Sequence, residues 1–130
     1  MPGVIAIEFD QLELLESIEA ATDEVLDTLT FGVIGIDPAG QVQRYNSLES
    51  RMAGLPPGKV LGHHLFTVVA PCMNNFMVAQ RFEDALNDGS ALDETLDYVL
   101  TLRMRPIKVK LRLLAAATVA RRYVLVQRST

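Results

Sequence analysis

One cysteine, Cys72, occurs in the 130-residue chain, inside the stretch V-V-A-P-C-M-N-N. A lone thiol has three chemical uses. It can fill a core as a small apolar side chain, act as a nucleophile, or carry a covalently attached group. An intramolecular disulfide, a Cys–Cys metal pair and a C-x-x-C redox motif all need a second thiol, so this usage agrees with a reducing cytoplasm. Nucleophilic catalysis would require a histidine reaching the thiol and an oxyanion hole. The only histidines are His63 and His64. Being adjacent, they would diverge on a helix, and no acidic neighbour orients them. They read as surface or hydrogen-bonded side chains rather than as a base or metal ligands.

The elements that must position Cys72 follow from composition and period. With 49% hydrophobic residues, the chain can build one proper core at the commonest domain size. We therefore expect a single domain over 1–130, with an N-terminal cap at 1–29 and a core at 30–128. Twelve Lys and Arg against sixteen Asp and Glu give a net charge of -4, which repels a phosphate backbone, so nucleic acid is not an expected partner. Apolar runs fall short of the roughly 20 residues that span a bilayer. The N-terminus lacks a basic stretch followed by an apolar core, so no membrane association and a cytoplasmic location are expected.

Asp10 and Glu13 form a capping-box spacing ahead of Leu12, Leu15 and Ile18, which recur at helical intervals. A short helical piece follows over 23–29. F-G-V-I-G-I-D reads as a strand that turns at D-P-A-G into Q-V-Q-R-Y-N, a hairpin with a four-residue loop. Gly and Pro recur through the next twenty residues and allow only short helical turns before Cys72. From Met77 to Leu86, Met77, Val78, Phe82, Ala85 and Leu86 mark a helical face closed by N-D-G.

The period then changes to two. Leu96, Tyr98, Leu100, Leu102 and Met104 share one strand face, with Thr95, Asp97, Thr101 and Arg103 on the other. I-K-V-K-L-R-L alternates with Lys108, Lys110 and Arg112 pointing out, and R-Y-V-L-V-Q-R supplies the last strand. The expected fold is α+β: a five-stranded antiparallel sheet with helices on its faces and an N-terminal helical cap, the irregular middle lying across the sheet's apolar face.

This element order is that of a PAS domain. The stretches F-G-V-I-G-I-D, Q-R-Y-N-S-L-E, V-A-P-C and M-R-P-I-K-V-K, in this order and spacing, resemble the photoactive yellow protein family over nearly the whole chain. The resemblance implies a blue-light photoreceptor, not an enzyme. It implies p-coumaric acid held as a thioester on Cys72 in a pocket that includes Val69, Ala70, Pro71, Tyr98, Leu100 and Met104. It further implies that Tyr45 and Glu49 hydrogen-bond a buried phenolate. Four residues apart, they could be aimed at one point by a helical turn with Ser47 as N-cap. Glu49 must be protonated to donate, and burial raises a carboxyl pKa. Met104 would neighbour the chromophore and assist its return to the ground state.

The chain departs from the family pattern where a threonine and an arginine are replaced by Ala53 and Leu55, two positions of the same site, Leu55 at its rim. Ala53 brings no hydroxyl to support Tyr45, and Leu55 brings no charge. Light would move the proton of Glu49, and the buried charge so created would loosen the N-terminal cap. The downstream partner is not legible, a fused sensor kinase module being one candidate. The competing reading is a PAS module that senses a ligand or dimerises within a larger signalling protein.

Overall fold

A computed structural model of the chain describes residues 7–101 and 106–128. Helices α1 (Leu14–Ala20) and α2 (Asp23–Leu26) precede strands β1 (Gly32–Ile36) and β2 (Val42–Tyr45). Helix α3 (Ser47–Ala53) opens the irregular middle, and helix α4 (Ala79–Asp88) closes it ahead of β3 (Leu92–Leu100), β4 (Ile107–Ala116) and β5 (Val119–Arg128). The strands form one antiparallel sheet in the order β2-β1-β5-β4-β3. The last strand therefore lies at the centre, where the early hairpin and the late one meet.

Alternation along β5 serves two cores. Val124 and Val126, with Ile34, Ile36, Leu111 and Leu113, face a core closed by Leu65, Phe66, Met73, Val78 and Phe82 of the middle section. Tyr123 and Leu125, with Val33 and Leu114, face the opposite way and are covered by Phe9, Leu14, Leu15, Ile18, Leu26 and Phe31. Each large apolar side chain so buried contributes about 1.5–3 kcal/mol over exposure. The middle section does cover one sheet face, as expected, and the N-terminal cap covers the other.

That second cover corrects the expectation for Arg112. Lys108 and Lys110 are exposed, but Arg112 is only 5% exposed. Its guanidinium donates to the carbonyls of Phe9 (2.8 Å) and Gln11 (2.7 Å) and grips Asp93 through Nε and Nη2 (both 2.8 Å). The same contacts displace the start of α1. The chain turns over residues 8–11 so that the Phe9 ring meets Phe31 edge-on at 5.6 Å, and the carbonyls there serve Arg112 instead of a first helical turn. The Asp10 capping box is not used: α1 begins at Leu14, after Glu13 at φ 55° with no side-chain cap. Leu14, Leu15 and Ile18 are buried, whereas Leu12 is 88% exposed.

Helix α4 starts at Ala79, two residues later than expected, because Asn75 Oδ1 accepts from the amides of Met77 and Val78. It ends as expected at N-D-G, with Gly89 at φ 67°, where glycine is favoured. Leu86 lies on the open side of the helix. In β3 the expected alternation holds, with Leu96, Tyr98 and Leu100 more buried than Thr95, Asp97 and Val99. The strand runs from Leu92 to Leu100, and the expected positions of Leu102, Arg103 and Met104 fall outside the described residues.

Candidate functional site

The hinge between β2 and α3 is set by Asn46, which is buried. Its Oδ1 accepts from the amides of Val33 (2.9 Å) and Glu49 (3.1 Å), and its Nδ2 donates to the carbonyls of Leu26 (2.9 Å) and Phe31 (3.0 Å). Asn46, not Ser47, is thus the N-cap of α3. The Ser47 amide is bonded to Asp27 Oδ1 at 2.8 Å. Long-range bonds select between two residues that are equally good local caps.

This cap sends Glu49 inward. Its side chain is 1% exposed and faces Arg128 at the end of β5, itself 8% exposed. Arg128 Nη1 donates to Oε1 at 2.7 Å and Nη2 to Oε2 at 3.1 Å, a bidentate fork. The space comes from β1: a Cβ on Gly32 would stand 2.0 Å from Oε1. The Glu49 carboxyl is held above its ordinary value, because burial outweighs the opposing bonds and charge of Arg128.

Tyr45 lies in the same electrostatic neighbourhood. Its hydroxyl is pushed up to about 12, first by burial and then by the Glu49 charge, against the pull of Arg128. It donates to the Leu55 carbonyl at 3.0 Å, which also accepts from Ser50 Oγ at 2.9 Å.

Cys72 lies in a 3-10 turn, Pro71–Met73, that directly follows a π-helical turn, Leu65–Val69. His64 caps the latter, Nδ1 accepting from the amides of Phe66 and Thr67 at 3.2 Å each, so it is a satisfied side chain as expected. The backbone of Cys72 is fastened to β3. Its carbonyl accepts from the Tyr98 hydroxyl at 2.5 Å and from Asn75 Nδ2 at 3.2 Å, and Asn75 also donates to the Tyr98 oxygen at 2.6 Å. The thiol is half-buried and free.

Of the expected site residues, Ala70 and Leu100 belong to the core on the middle-section side of the sheet, and Tyr45, Leu55, Val69, Cys72 and Tyr98 pack against it. Glu49 and Ala53 are buried in α3, Pro71 is exposed, and Met104 lies outside the described residues. Arg128 and Asn75 were not anticipated. The period of β5 carried a signal for Arg128, which falls on the inward parity of Val124 and Val126. Asn75 carried none beyond its place in a Pro-, Asn-rich turn.

Residues 20–123 match the family described as PAS fold. The photoactive yellow protein of Rhodothalassium salexigens is 31% identical over 86% of this chain and 89% of its own length. That of Halochromatium salexigens is 32% identical over 82% of this chain and 85% of its own. The chain belongs to the photoactive yellow protein family. Among solved structures it resembles the photoactive yellow protein domain of the sensor histidine kinase Ppr from Rhodospirillum centenum, with a TM-score of 0.79 and 34% identity over 87% of this chain and 98% of that one. Relatives bearing the photoactive yellow protein name support a photoreceptor-type role for a PAS domain of this kind. Among the described residues, no helix is long and apolar enough to cross a membrane.

Proposed function

We propose that this protein is a cytoplasmic blue-light photoreceptor carrying p-coumaric acid as a thioester on Cys72, a sensor and not an enzyme. The supporting observation is an unspent buried donor beside the inward acid. Among the described residues Arg128 Nε is buried without a partner, although both Nη atoms bond Glu49. An orphan donor of this kind costs about 1–3 kcal/mol, so the set Glu49, Tyr45 and Arg128 has capacity for one more acceptor, and a phenolic oxygen fits it.

When bound, the p-coumaroyl group supplies absorption in the blue and trans-to-cis isomerisation. The protein's residues do the rest. Cys72, as thiolate, displaces the leaving group of an activated p-coumaroyl ester: one S–C bond forms, one C–leaving-group bond breaks, and the thiol proton goes to solvent. Tyr98 and Asn75 hold the Cys72 backbone, and Tyr45 offers its hydroxyl proton as a hydrogen bond. Glu49 holds at Oε the proton that light mobilises. Val69, Ala70, Leu100, Ala53 and Leu55, all buried or half-buried, would keep water from the attached group.

The output element is the N-terminal cap. Two buried arginines pin it to the sheet: Arg112 through the carbonyls of Phe9 and Gln11, and Arg44 through those of Ile18 and Ala21. The partner class is a fused sensor kinase, by analogy with the Rhodospirillum centenum domain.

The test is the intact mass and absorption spectrum after addition of activated p-coumaric acid. We expect the mass of one p-coumaroyl group and a visible band, both absent in Cys72→Ala, which should still fold. A colourless wild-type protein, or blue absorbance retained in Cys72→Ala, refutes the assignment.

A further inference from the structure

The charges around Glu49 do not match a site that holds only a neutral acid and a phenol. Three strands face the carboxyl. β5 brings Arg128, β2 brings the Tyr45 hydroxyl, and β1 brings only the backbone of Gly32, with no other charged group acting on Glu49 among the described residues. Two guanidinium nitrogens on two carboxyl oxygens is the geometry of a carboxylate, since a protonated acid has one oxygen occupied as a donor. At Leu55, the position that the resemblance puts at the pocket rim, the chain has no charge.

We propose that Arg128 is the resident cation of the site: it holds Glu49 as a carboxylate before the chromophore is attached, and afterwards it is the positive charge that keeps the attached phenol ionised while Glu49 carries the proton. This inference rests on the photoreceptor reading for its second half only. The charge count requires the exchange. Glu49 and Arg128 together are neutral, and a second buried anion would leave one negative charge uncompensated in a dry core. Moving the phenol proton to Glu49 Oε keeps the total at zero, with one cation, one anion and one neutral acid. The orphan Nε gives Arg128 a donor for that anion while its Nη atoms stay near Glu49. When light returns the proton, the new carboxylate meets a guanidinium already in place, so the chain's answer to a buried charge lies at the end of β5 and not at the rim.

The experiment has two arms. In the protein without chromophore, the infrared carbonyl band of Glu49, identified by its loss in Glu49→Gln, is followed against pH in wild type, Arg128→Gln and Arg128→Lys. We expect no protonated Glu49 band in wild type at neutral pH. Arg128→Gln should raise the proton affinity of Glu49 by roughly 10- to 1000-fold, and Arg128→Lys should restore most of the difference. In the loaded protein, Arg128→Gln should raise the pH at which the colour bleaches, by about tenfold or more in proton affinity. A protonated Glu49 in the unloaded wild type at neutral pH, or an unshifted bleaching pH in Arg128→Gln, overturns the inference. If Arg128→Gln does not fold, the wild-type measurement and Arg128→Lys still decide it. A wild type that never colours defeats the photoreceptor reading instead, and the first arm then judges the pairing alone.

Discussion

Replacing Arg112 by Met should detach the leading turn of the N-terminal cap while leaving the sheet intact. Met keeps an unbranched apolar stem on β4 and removes the charge. Of the four hydrogen bonds Arg112 makes, two go to Asp93, whose side chain is 52% exposed, so these contribute only about 0–1 kcal/mol after solvent screening. The other two go to the carbonyls of Phe9 and Gln11, at 2.8 and 2.7 Å, and charge-assisted bonds contribute about 1.5–3 kcal/mol each. Once the turn opens, water recovers part of this, which leaves a net of about 2–4 kcal/mol. Hydrogen exchange read by mass spectrometry should therefore show the amides of α1 opening roughly 30- to 1000-fold more often. Amides of β5 should hardly change, because Val124 and Val126 remain covered on the other face. Arg44, itself bonded to Tyr123 of β5, ties down the later cap through Ile18, Ala21 and Asp23, so protection of α2 should survive in Arg112→Met and fall only when Arg44 is also replaced. If α1 exchange stays within about threefold of wild type, the carbonyl contacts do not hold the cap and the reasoning fails.

Arg122 is the counter-example: it is 7% exposed and, among the described residues, has one bond to the Phe82 carbonyl at 2.9 Å and leaves Nε without a partner, with burial pushing its pKa down. Arg122→Leu should be neutral or stabilising by up to about 4 kcal/mol in urea unfolding, and clear destabilisation would show that the guanidinium has a partner in solution. Tyr45 binds its proton more tightly folded than unfolded, about 12 against 10.0. Its contribution is therefore complete below pH 10 and declines as pH rises toward 12, and a stability profile for Tyr45→Phe should lack that alkaline slope. In the loaded protein the single Tyr45 proton must serve either the Leu55 carbonyl or the chromophore. Two dark-state bands with a temperature-dependent ratio should result, and Ala53→Thr, by adding a hydroxyl near Tyr45, should reduce the minor one. A single unchanging band in both proteins would show that the Leu55 bond does not compete.

The alternation in β3 was legible from Thr95 to Leu100, and β4 and β5 were legible as strands, because a strand's period of two depends only on its own backbone. So was the isolation of Cys72, since chemistry that needs a second thiol is excluded by composition alone, and so were the Gly- and Pro-rich middle and the glycine stop of α4. Parity carried an unused signal for Arg128, which shares the face of Val124 and Val126. It could not say that α3 would deliver Glu49 to it, because that meeting joins residues 79 apart in sequence. The same limit explains Arg112. Parity assigns it a face, but whether that face meets water or a further layer depends on where residues 7–26 come to rest, and Lys108 and Arg112 share one parity with opposite burial. At the start of α3, Asn46 and Ser47 have nearly equal local capping strength. Asn46 prevails because Leu26, Phe31 and Val33 converge on its amide, a selection made by tertiary contacts that no local window of sequence contains.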